Sequence, residues 1–201
     1  MVAIIDYGAG NIRSVEQALN YLGIEYVLTS DANVIKNADR AILPGVGNFK
    51  DAMDNLSRLN LIEPIKAFVE TGKPFLGICL GLQLLFDESE ESPGVKGLSL
   101  LKGKCLKIPA SKEFKVPQIG WNSLSFPKEC ELFKGISEGA YVYFVHSYYL
   151  CAEDEACVAA TTDYGVKIHA AVAKDNIYAC QFHPEKSSGV GLKILENFVN
   201  L

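Results

Sequence analysis

Along the first half of the chain, apolar positions alternate between two rhythms. Val2 to Asp6 is a short apolar run ending in turn residues. Asn11 can then cap a helix in which Ile12, Val15, Ala18, Leu19 and Leu22 recur at helical spacing. Tyr26 to Thr29, Arg40 to Leu43 and Phe75 to Ile78 read as further buried strands. Helical stretches near Phe49 to Leu56 and Leu61 to Glu70 lie between the last two. Strands that alternate with helices in this way predict a mostly parallel sheet covered on both faces.

From Gly103 onward the rhythm becomes β-rich. Lys104 to Ile108, Tyr141 to Val145, Cys157 to Thr161, Val166 to Val172 and Ile177 to Phe182 suggest a mixed sheet with antiparallel strands. A last helix around Gly189 to Asn200 would place Val190, Ile194, Leu195 and Phe198 on one face. No repeat or linker divides the chain, so residues 1–201 are expected to form one α/β domain with a central, mostly parallel mixed sheet flanked by helices.

Composition narrows the classes. With 49% hydrophobic and 21% charged residues the chain is too apolar to be disordered. A net charge of −5, with 19 basic residues spread thinly, predicts no nucleic-acid partner. The longest nearly apolar stretch, Pro74 to Phe86, is about half of a membrane span, and the amino end lacks a basic leader. The six cysteines, at 79, 105, 130, 151, 157 and 180, form no C-x-x-C pair, which argues against a zinc site and a disulfide framework. A reduced cytoplasmic protein without metal or cofactor is the expectation.

The chemistry concentrates around Cys79. Gly77-Ile78-Cys79-Leu80-Gly81 has the G-x-nucleophile-x-G form of a nucleophile elbow, with a strand before it and the helical run Leu82 to Phe86 after it. Such a bend lifts the side chain out of the sheet, and flanking glycines let the backbone fold back without Cβ clashes. It also sets Cys79 at a helix amino terminus, whose unpaired N–H groups favour negative charge, and frees the Leu80 N–H for an oxyanion. The other five cysteines, Cys180 included, read as small buried hydrophobes.

A cysteine nucleophile needs a proton shuttle, and three histidines are available. In Gln181-Phe182-His183-Pro184-Glu185, extended geometry at a strand end would bring His183 and Glu185 to one side, so that the carboxylate fixes the ring's tautomer. His146, within Tyr143 to Tyr148, reads as a pocket wall that frames substrate. His169, between Ile168 and Ala170 in a strand, is assigned no chemistry.

Two glycine loops sit at strand ends. Pro44-Gly45-Val46-Gly47 could turn a backbone N–H towards a developing negative charge, or be a plain turn. Gly8-Ala9-Gly10 resembles the start of a dinucleotide fingerprint but has Arg13 where the third glycine belongs.

Together these residues resemble the class I, or triad, glutamine amidotransferases, nearly end to end. The carrying segments are Ile5 to Asn11, Pro44 to Gly47, Gly77 to Gln83, Gly120-Trp121-Asn122, Tyr143 to Tyr148 and His183 to Ser187, with Leu82 standing where a methionine is usual. The resemblance implies a glutaminase in which Cys79 attacks the carboxamide of glutamine, His183 protonates the departing ammonia and then activates water, and Glu185 orients His183. It implies that Val46 and Leu80 hold the oxyanion, and that Gly45, Gly47, Gln83, Ser147 and Tyr148 hold substrate. It further implies a heterodimer with a (β/α)₈-barrel cyclase that receives the ammonia, faced by Asn11, Trp121, Tyr143 and Lys186. Subunits serving anthranilate or pyridoxal phosphate synthesis are the nearest alternative.

Overall fold

A seven-stranded sheet runs through the molecule, and its central strands are buried on both faces. The computed structural model describes residues 1–8 and 10–201; Ala9, within the second glycine loop, lies outside the described residues. The first half supplies β1 (Val2–Ile5), α1 (Ile12–Tyr21), β2 (Tyr26–Thr29), α2 (Ala32–Asn37), β3 (Arg40–Gly45), α3 (Phe49–Arg58), α4 (Ile62–Glu70), β4 (Phe75–Cys79) and α5 (Leu80–Leu84). The second half supplies β5 (Glu88–Ser89), β6 (Gly103–Lys107), β7 (Gln118–Ser123), β8 (Tyr141–His146), β9 (Tyr148–Ala152), β10 (Val158–Asp163), β11 (Lys167–Lys174), β12 (Ile177–Cys180) and α6 (Ser188–Val199).

The strand order is β10-β11-β12-β4-β3-β1-β2. β12, β4, β3, β1 and β2 pair in parallel, and β11 joins antiparallel at one side. Pleating sorts neighbouring residues to opposite faces. Ile5 and Leu43 pack with Phe49, Phe68 and Phe75 in one core, while Ile4 and Ile42 pack with Phe144, Phe182 and Phe198 in the other.

Several expectations from the sequence need correction. β2 is the outer strand of the sheet and is half-exposed, because only β1 pairs with it. Asn11 stands at the N-cap of α1 without capping it; its Nδ2 instead donates to Ser14 Oγ at 2.7 Å. The short α2 has no core-facing run to announce it, and forms because Asp31 accepts from the Asn33 N–H at 2.7 Å.

The β-rich half does not form one sheet. Only β10 to β12 extend the central sheet; β5, β6 and β9 form a second sheet and β7 with β8 a two-stranded ribbon. In α6, Ile194, Leu195 and Phe198 are buried and Val190 is only half-buried. Cys151 is exposed and Cys130 half-buried, whereas Cys180 is fully enclosed; all six thiols are free. Among the described residues, no helix is long and apolar enough to cross a membrane.

Candidate active site

The end of β4 is set by steric necessity. Cys79 has φ 55° and ψ −107°, a conformation that disfavours any side chain, and α5 starts at the next residue. The bend brings Gly81 so close to β3 that a Cβ there would lie 1.9 Å from the Leu43 carbonyl oxygen. Gly45, paired with Cys79 across the two strands, is also enclosed, though less tightly: a Cβ would meet the Tyr7 hydroxyl at 2.6 Å and the Gly81 nitrogen at 2.9 Å. Glycine is the only residue either place admits. The helix after the bend is Leu80–Leu84, two residues earlier than the Leu82 to Phe86 run suggests, because it begins directly at the elbow.

Cys79 opens onto a cleft of about 430 Å³, within the range of small-molecule sites. Val46, Gly47, Leu80, Gln83, Ser147 and Tyr148 line it. Gly45 lies behind this surface as packing. Lys186, which the resemblance places among the partner-facing residues, also lines the cleft. A larger hollow of about 630 Å³ around Phe126, Cys130 and Phe133 contains none of the candidate residues.

His183 and Glu185 meet, with His183 Nδ1 and Glu185 Oε1 2.7 Å apart and both side chains 2% exposed. The geometry is a turn rather than an extended strand end. β12 stops at Cys180, and Pro184 to Lys186 form a 3₁₀ turn with proline at its first position, where its missing N–H costs nothing. The Ser187 hydroxyl staples this turn, donating to the His183 carbonyl at 2.6 Å and accepting the Tyr143 N–H at 2.9 Å. Strand β8 thereby holds the histidine's backbone from both ends, since His183 N–H also donates to the Tyr143 carbonyl at 2.9 Å.

Burial works against a charged His183 ring, but Cys79 on one side and Glu185 on the other outweigh it and raise its pKa to about 10. His183 Nε2 and Glu185 Oε2 are buried without a hydrogen-bond partner among the described residues, and the ring thus keeps one nitrogen free on the side away from Glu185. Burial likewise raises the Tyr7 hydroxyl, and charge on Cys79 adds to the shift.

His146 belongs to the wall opposite. Its Nδ1 lies 2.8 Å from the Tyr148 carbonyl, which can only accept, so Nδ1 carries the proton and donates. Its Nε2 lies 2.9 Å from Gln118 Oε1; with Nδ1 carrying the proton of a neutral ring, the Gln118 amide donates to Nε2 once its O and N positions are exchanged. Burial is the main reason the ring is held neutral, with its pKa lowered to about 4. His169 accepts the Ala152 N–H at 3.1 Å and stands apart from the cleft.

Sequence reasoning passed over four residues here. Glu91 lines the cleft and takes the Phe49 N–H on its Oε2 at 2.7 Å. Pro117 and Val145 complete the lining, and the Val145 carbonyl lies 3.9 Å from Cys79 Sγ. Gln181 is fully buried and directs its Nε2 at the same sulfur from 3.6 Å.

On the outer face of the ribbon, Ile119, Trp121 and Tyr141 are exposed, and Trp121 packs edge-on against Tyr143 at 6.1 Å. Val145 pairs with Ile119 on this face and also lines the cleft, so the apolar surface and the cleft adjoin. Asn11 is half-exposed just before α1.

This architecture is that of a triad-type amidotransferase: residues 3–201 match the family described as glutamine amidotransferase class-I, and the chain belongs to it. Within that family it is 52% identical over 198 residues to "Imidazole glycerol phosphate synthase subunit HisH" of Caldanaerobacter subterraneus subsp. tengcongensis, covering 98% of this chain and 97% of the relative. The protein of the same name from Aquifex aeolicus is 53% identical over 196 residues, covering 97% and 94%. Among solved structures, a glutamine amidotransferase shares the fold with a TM-score of 0.76 at 19% identity, covering 100% of this chain and 98% of its own. PurLQS from Thermotoga maritima gives 0.75 at 22% identity, covering 99% and 97%.

Proposed function

We propose that the chain is the glutaminase subunit of an imidazole glycerol phosphate synthase: it hydrolyses glutamine to glutamate and ammonia and hands the ammonia to a cyclase subunit. The observation that carries this reading is a cysteine on a strained elbow, open to a cleft, beside a buried histidine paired with a carboxylate.

In this mechanism the Cys79 sulfur attacks the carboxamide carbon, and the Leu80 and Val46 N–H groups receive the oxyanion. His183, charged and oriented by Glu185, gives its proton to the leaving nitrogen, so ammonia departs and a thioester remains. Water then adds to the thioester while His183 takes its proton. Collapse releases glutamate and the sulfur, and the charged ring is restored.

Gly47, Gln83, Ser147 and Tyr148 frame the rest of the substrate, with Glu91 suited by charge to the α-ammonium group. Gly45 contributes by keeping the oxyanion loop close to the elbow.

The partner in this reading is a (β/α)₈-barrel cyclase that makes imidazole glycerol phosphate and AICAR, seated on the apolar ribbon face near Trp121 and Tyr143, with Asn11 at its border. Continuity of that face with the cleft through Val145 supports delivery across the interface, and Lys186 stands at the junction. The work is expected in the cytoplasm.

Cys79→Ala in the reconstituted pair tests the reading. Synthesis from glutamine should vanish while synthesis from added ammonium salts persists. Survival of the glutamine-dependent rate would overturn it.

A further inference from the structure

Gln181 is not among the residues that line the cleft. It is fully buried, and both ends of its amide are engaged: Oε1 accepts from Gln83 Nε2 at 3.0 Å, and Nε2 points at Cys79 Sγ from 3.6 Å. Gln83 Nε2 also donates to the Tyr148 carbonyl at 3.0 Å.

The polarity of this chain is dictated from the backbone. A carbonyl can only accept, so the Gln83 group facing Tyr148 is its NH₂. The second hydrogen of that NH₂ needs an acceptor, which fixes Gln181 with its oxygen towards Gln83. The remaining end of Gln181 is then an NH₂ and must face the sulfur. Two amides in series thus present a donor to Cys79 at a buried position, where a hydrogen bond to an anion is worth roughly twice a neutral one.

We propose that Gln181 is a positioning residue for the nucleophile, its amide held by Gln83 and the Tyr148 carbonyl so that an N–H supports the Cys79 sulfur as it gains negative charge. The role rests on Cys79 being the nucleophile. The same N–H serves twice per cycle, before the sulfur attacks and again when the thioester breaks and the electron pair returns to sulfur. Gln83 therefore has a second duty besides bordering the cleft.

The test is the pH profile of Cys79 alkylation by iodoacetamide, measured on the chain in complex with its cyclase, together with glutamine kinetics. In Gln181→Leu the alkylation profile should move up by about one pH unit, and kcat should fall about tenfold with KM changed less than about twofold. Gln181→Glu, which puts a carboxylate beside the sulfur, should slow alkylation at neutral pH further still.

If Gln181→Leu does not fold, Gln83→Met releases the Gln181 amide without touching it and should move the profile in the same direction. A folded variant of either kind with the parent's alkylation profile overturns the proposal. Failure of the parent itself to alkylate at Cys79 or turn over glutamine would overturn the glutaminase reading instead, so the two outcomes are distinguishable.

Discussion

The elbow that bears Cys79 and the wall that bears His146 face each other across one cleft, and different forces hold them. On the elbow side, backbone approaches backbone so closely that Gly81 and Gly45 leave no room for a single added carbon. On the wall side, the sheet is a two-stranded ribbon, and a polar chain from Gln118 through His146 to the Tyr148 carbonyl fixes the geometry. Steric fixing fails abruptly, whereas hydrogen-bonded fixing weakens by degrees and responds to protons.

The sharpest way to break the comparison is Gly81→Ala. The added methyl would overlap the Leu43 carbonyl, so the variant should lose more than about 4 kcal/mol, and little folded protein should be recovered in a denaturant titration. A variant unfolding near the parent's midpoint would show the elbow to be pliant.

The wall should answer to pH. His146 is held near 4 when folded against 6.5 when unfolded, so between these values the unfolded chain binds the extra proton. Its stabilising contribution is fully present above 6.5 and is lost as pH falls towards 4, by up to about 3 kcal/mol. His183 has the opposite sign: its raised folded pKa contributes stability at low pH that is lost as pH rises above 6.5. Urea unfolding at pH 7 and pH 5 should therefore show a loss in the parent that His146→Gln largely removes. Equal losses in both proteins would place the acid sensitivity elsewhere.

Smaller effects sharpen the contrast. Ser187→Ala leaves the Tyr143 N–H and the His183 carbonyl without their partner, and should cost about 2 kcal/mol by thermal melting. Tyr7→Phe deletes a buried hydroxyl that has no hydrogen-bond partner among the described residues, so stability should rise by up to about 1 kcal/mol. A fall in stability would show that the hydroxyl has a partner in solution.

The same division explains what could be read from the sequence. β1, β3, β4 and the elbow were legible because parallel strands are unbroken apolar runs and the glycine spacing around Cys79 is a local requirement. β7 was not, since Gly120 interrupts its alternation and its pairing with β8 spans a long loop. β9 finds its partner in β6, more than forty residues away. Gln181 carries its meaning only through Gln83 and Cys79, both about a hundred residues distant in sequence. The His183–Glu185 contact was legible from spacing, but its turn was not, because the Ser187 staple depends on Tyr143 from another strand.

Cys79 sits at a positive φ that glycine would occupy without penalty. The molecule thus folds a little less firmly than it could, in order to keep one sulfur aimed outward.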